Sequence, residues 1–153
     1  RPRTLPQSEM PPDAAPELSG SNIGSAAFDN SMSFIGTKSG RGLIWAKDGI
    51  TYCQVFVRSM FGLPASGDAI DVCNRYQRFG LIKTSGTPTK GAALCYGAVS
   101  GNKYGHISIA RGDGNEVGVR YASRGVELSA TPSANGYMGW IDAQDFVSNY
   151  SRK

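Results

Sequence analysis

The chain has 153 residues, of which 40% are apolar and 18% charged, with 20 glycines. That length suits one domain around one core, and the balance excludes a coiled coil or a wholly disordered protein. A net charge of +4 and a pI near 9.1 favour polyanionic partners such as nucleic acid, anionic lipid or the acidic polymers of a cell envelope. There is no Lys/Arg run and no nucleic-acid module, so nucleic acid is not the expected partner. No apolar run reaches the length of a membrane span. The start at Arg1, without methionine or a signal-peptide pattern, reads as a processed product or an excised C-terminal domain.

Residues 1–25 form the first unit. Five of the eight prolines fall within 1–22, where large apolar residues are scarce, so burial does not offset the entropy of ordering and the stretch reads as a tether. The globular unit is expected over 26–153. "SAAFDNSMSFIG" (25–36) is compatible with a short helix or an irregular wrap. A clearer helix follows Thr51, read as its N-cap: Val55, Phe56, Met60 and Phe61 recur at helical spacing before Gly62. The next helix is predicted over 67–79, capped by Ser66 and closed by Gly80. From residue 92 the pattern turns to short β-branched or aromatic runs: 92–99, 104–111, 116–122 and 136–142. "GDGN" marks a hairpin turn between the second and third of these. A closing helix over 142–150 starts at Asp142. Helices first and an antiparallel sheet after them make an α+β domain.

Cys53 falls in the first turn of the predicted helix, where unpaired backbone N–H groups and the positive dipole end favour a thiolate. A cysteine nucleophile needs a base, and His106 is the only histidine. It opens a predicted strand, so its ring can stand beside the helix start. The bland alternatives are a buried cysteine acting as a small hydrophobe and a hydrogen-bonded structural histidine. Cys73 and Cys95 complete an odd count of three without CxxC spacing, so a zinc site and a dense disulfide framework are not expected. One disulfide, Cys73–Cys95, would spare Cys53, and burial as separate thiols is the default for the pair. No metal and no cofactor is expected. Trp45, Tyr52, Tyr104 and Trp140 are candidates to line a substrate groove, with core packing the expected fate of at least two of them. "RGD" at 111–113 is explained by its turn, "NYS" at 149–151 matters only in a eukaryotic secretory setting, and Asp113, Asn115 and Glu116 are too few for a calcium loop.

Four segments in order resemble the NlpC/P60 cysteine peptidases and the related CHAP amidases, across about Trp45 to Glu127. "YCQVFVRSMFGLP" is similar to the nucleophile segment, through Cys53, Phe56, Val57, Gly62, Leu63 and Pro64. "GAALCY" (91–96), "GHISIARGDG" (105–114) and "ASRGVE" (122–127) resemble the strand before the histidine, the histidine strand with its turn, and the segment after the third catalytic position. The resemblance implies a papain-like α+β domain with N-terminal helices packed on a small antiparallel sheet. It implies a hydrolase of peptide or amide bonds in bacterial peptidoglycan, with Cys53 as nucleophile and His106 as base. Two departures stand out. The family's Asp before and Ser-Gly after the cysteine are here Tyr52, Gln54 and Val55. The third residue, which orients the histidine, falls by the commonest spacing on Gly118; anchoring on "ASRGV" points instead to Tyr121, with Glu116 and Ser123 behind it and an unassisted dyad as the remaining option.

The expected activity is therefore a cysteine endopeptidase or amidase, secreted or delivered to the periplasm or cell wall. A carrier or secretion apparatus and a cognate immunity protein are the expected partners. The alternatives are a cysteine-dependent deamidase or acyltransferase toxin acting on a protein or lipid, and a catalytically inactive wall-binding module.

Overall fold

A computed structural model describes residues 21–130 and 136–153. The described chain is a mixed α and β domain with four helices. Helix α1 (Ser21–Met32) begins inside the stretch read as tether, and residues 1–20 of that stretch lie outside the described residues. Two small antiparallel hairpins follow, β1–β2 (Ser39–Gly40, Leu43–Ile44) and β3–β4 (Ala46–Lys47, Ile50–Thr51). These are too short to leave an alternating pattern in the sequence. Helices α2 (Cys53–Phe61) and α3 (Ala69–Arg78) come next, then β5 (Ala93–Tyr96), β6 (His106–Ala110), β7 (Asn115–Tyr121), β8 (Gly125–Ala130), β9 (Tyr137–Ile141) and α4 (Ala143–Asn149). No described helix is long and apolar enough to cross a membrane.

The main sheet is antiparallel throughout, in the order β8-β7-β6-β5-β9. Strand β8 is not among the strands expected from sequence, although Val126, Glu127, Leu128 and Ser129 alternate apolar and polar as a strand does. Because side chains alternate across a strand, the sheet has two distinct faces. Cys95, Ile107, Ile109, Val117, Val119 and Ile141 face the helices and join Phe56, Val57, Val72 and Tyr76 in the larger core cluster. Ala92, Leu94, Tyr96, Ala110 and Trp140 form a smaller cluster on the opposite face.

The caps differ from those expected from sequence. Tyr52, not Thr51, is the N-cap of α2, and its side chain makes no capping hydrogen bond. For α3 the cap is Asp68 rather than Ser66, and the Asp71 carboxylate accepts the Asp68 N–H at 3.0 Å. Two acidic residues three apart satisfy the first turn better than a single hydroxyl, and they place negative charge at the positive helix end. Asp142 caps α4 as expected, accepting from the Gln144 amide at 3.2 Å.

A Cys73–Cys95 disulfide, with Cα atoms 5.8 Å apart, ties α3 to β5 and leaves Cys53 as the free cysteine. Tyr76 donates its hydroxyl to the Phe146 carbonyl, and Gln54 Nε2 donates to the Tyr150 hydroxyl at 2.6 Å, so α4 is fastened to both central helices. The RGD sequence sits in the β6–β7 turn, where Arg111 pairs with Asp113 at 2.8 Å.

Candidate active site

Cys53 is the first residue of α2 and is 8% exposed, at the wall of a cavity of about 650 Å³. The cavity is closed by Tyr52 and Cys53 from the helix start, Asp68 from the α3 cap, and Asn102, Tyr104 and Gly105 from the loop before β6. That loop is held in place by its backbone. The Ile70 amide donates to the Tyr104 carbonyl at 2.8 Å, and Asn102 Nδ2 donates to the Gly105 carbonyl at 3.1 Å. Gly105 has φ +69, and a Cβ there would stand 2.6 Å from the Tyr96 carbonyl oxygen. Only glycine makes both the turn and the close approach.

The thiol lies at the beginning of β6. Burial pushes its pKa up from 9.0 to about 11, and the backbone amides of Ile107, Gln54 and Cys53 itself pull in the other direction without prevailing. The expectation of a resting thiolate at the helix N-terminus is therefore corrected. Desolvation of the sulfur outweighs the amides that would stabilise its anion. The Ile107 amide among those influences belongs to the residue immediately after His106, so helix start and histidine strand do meet.

His106 pairs with Tyr96 in the β5–β6 ladder, and its ring lies against the Tyr96 ring with centroids 5.4 Å apart. Burial first, and the Arg120 charge second, lower the imidazole pKa from 6.5 to about 4. Both members of the pair are thus neutral near pH 7, and no hydrogen bond joins them. His106 ends β6 toward the cavity but does not line it.

The position opposite the imidazole belongs to Gly118. A Cβ placed there would stand 3.7 Å from His106 Nε2. Tyr121 stands elsewhere. It is 47% exposed at the C-terminal end of β7, with Arg124 over its ring at 4.5 Å, and it shares no hydrogen bond or ring contact with His106. The β7–β8 ladder shifts register between Val119 and Tyr121, an irregularity that simple spacing along the sequence does not register. Of the fallback residues, Glu116 is 1% exposed and accepts the Tyr96 hydroxyl, while Ser123 lies in the turn after β7.

The groove candidates divide. Tyr52 and Tyr104 are 44% and 53% exposed and line the cavity. Trp45 is fully buried, packed edge-on against Phe34 and Phe56, and donates Nε1–H to the Thr37 carbonyl at 3.1 Å. It is a core residue and lines no groove, and Trp140, 7% exposed, belongs to the smaller core cluster and does not line the cavity either. Asp68 and Asn102 are cavity residues that sequence reasoning missed. The Asp68–Asp71 spacing is a usable capping signal, whereas Asn102 sits in a loop that no periodicity describes. Among the described residues, no group of three or more His, Cys, Asp or Glu is placed to hold a metal ion.

Compared with known proteins, the chain matches no family model and no curated protein.

Proposed function

We propose that this domain is a cysteine hydrolase that cuts peptide or amide bonds of bacterial peptidoglycan, through a papain-like arrangement of Cys53 and His106. The observation that carries the reading is that the α2 start meets β6, where the Ile107 amide next to His106 bears on the Cys53 sulfur at the wall of the cavity. The peptidoglycan substrate comes from the resemblance of the four segments to NlpC/P60 and CHAP enzymes.

In this reading His106 takes the Cys53 proton as the sulfur attacks the substrate carbonyl, and returns it to the leaving amine. A neutral thiol and a neutral imidazole suit general-base activation during attack rather than a standing ion pair. The backbone amides around Cys53 are the donors available to a developing oxyanion. Tyr52 and Tyr104 offer exposed rings on which a substrate chain can rest. The disulfide fits delivery to an oxidising compartment, such as the periplasm or the outside of a cell.

Mass spectrometry of purified peptidoglycan digested by the wild type and by Cys53→Ala tests the proposal. New muropeptides from the wild type alone are expected, and their masses identify the bond. A second reading, an inactive wall-binding module, is favoured by the raised thiol pKa and by the bare Gly118. It predicts sedimentation with peptidoglycan and no products from either protein.

A further inference from the structure

We infer that Ser108 replaces the missing third polar residue and holds the His106 ring through Nε2; the inference rests on the reading of Cys53 and His106 as nucleophile and base. Strand alternation puts His106, Ser108 and Ala110 on one face of β6. The β6–β7 ladder pairs Ala110 with Glu116 and Ile109 with Val117, which brings Gly118 opposite Ser108. From Gly118 the two groups converge on one point: a Cβ there would lie 2.9 Å from Ser108 Cβ and 3.7 Å from His106 Nε2.

No side chain can therefore enter from β7 while Ser108 is present. Gly118 and Ser108 are fitted to each other, and the polar group beside the ring now comes from the histidine's own strand. Ser108 is fully buried, and its Oγ has no hydrogen-bond partner in the resting protein. An unsatisfied buried hydroxyl is costly and needs an explanation. The neighbouring phenol of Tyr96 does not supply its partner, since it is donated to Glu116. In the inferred contact, a change of side-chain torsion at His106 or Ser108 gives Oγ the Nε2–H as donor.

The chemistry is simple. With its proton on Nε2 and donated to Ser108 Oγ, the neutral ring keeps the lone pair of Nδ1 for the Cys53 proton. When the S–H bond breaks and the N–H bond forms at Nδ1, Nε2–H continues to donate to the same oxygen. A hydroxyl, unlike a carboxylate, adds no counter-charge, so it orients the ring without stabilising imidazolium in advance. Ser108 is thus a positioning residue, acting through His106.

Because His106 is the only histidine, ¹⁵N NMR of the imidazole reports one tautomer without assignment ambiguity. The wild type is expected to hold its proton on Nε2. Ser108→Ala, which keeps the Cβ in place, should shift the ring toward a tautomer mixture, and Ser108→Gly should do the same. The exchange Ser108→Gly with Gly118→Ser returns a hydroxyl beside Nε2 from the opposite strand and should restore the single tautomer. If the domain hydrolyses peptidoglycan, Ser108→Ala should also lower kcat/KM by roughly tenfold to hundredfold, part of what a positioned base contributes. A wild-type ring protonated on Nδ1, or a tautomer unmoved by Ser108→Ala in a protein with a native circular dichroism spectrum, overturns the inference. The NMR result does not depend on activity: a tautomer shift without hydrolysis refutes the hydrolase and leaves the positioning contact in place.

Discussion

One face of the five-stranded sheet is covered by α2 and α3 and buries Cys95, Ile107, Ile109, Val117 and Ile141, whereas the other buries Tyr96, Ser108 and Glu116 among its apolar residues. The first face is held by aliphatic and aromatic packing and by the disulfide. The second holds polar groups whose burial needs partners. Cys53 belongs to the first face and His106 to the strand end nearest the second, so the proposed pair is assembled at the seam of two environments. The nucleophile is shaped by desolvation from an apolar core, while the base is shaped by the hydrogen-bonding options of its neighbours.

Substitution at the seam itself should have the largest consequence. Cys53→Ala and His106→Ala should each abolish muropeptide release while leaving the fold intact by circular dichroism. The next largest effect belongs to the packed face. Phe56 is fully buried against Trp45, and Phe56→Ala should cost about 3–5 kcal/mol, read by urea unfolding. Breaking the Cys73–Cys95 bond, which closes a sequence separation of 22, should cost about 3 kcal/mol and be visible as a lower thermal midpoint under reducing conditions.

The polar face should show itself in acid. His106 has a folded pKa of about 4 against an ordinary 6.5, so the unfolded chain binds the proton more tightly. Stability contributed by the neutral ring is complete above pH 6.5 and is lost as the pH falls toward 4, by at most about 3 kcal/mol. His106→Gln should flatten that part of the curve in urea titrations. Cys53 acts at the other end: its raised pKa makes stability fall as the pH rises from 9.0 to about 11. The smallest effect is expected from Tyr96→Phe. It removes one donor from the buried Glu116 carboxylate and should destabilise by about 1–3 kcal/mol, less where water enters.

The elements that carry strong periodicity are legible in the amino-acid sequence. Helices α2, α3 and α4, four of the five strands of the main sheet and the β6–β7 turn all follow from apolar spacing and turn residues. Cys53 at a helix start and His106 at a strand start are legible for the same reason. What escapes is set by tertiary context. Trp45 looks like a groove aromatic in sequence because nothing there shows Phe34 and Phe56 closing around it. The thiol's protonation is misread from sequence because helix position is visible there and desolvation is not. The serine two residues beyond the histidine is equally visible, but its meaning depends on Gly118 facing it across the ladder.

The most direct test of the central claim is turnover of purified peptidoglycan by wild type and Cys53→Ser, with acid quenching and peptide mapping of Cys53 in the pre-steady state. The account predicts an acyl adduct on Cys53 in the wild type and loss of turnover in Cys53→Ser. Undiminished product release by Cys53→Ser, with no adduct on Cys53 in the wild type, would contradict it.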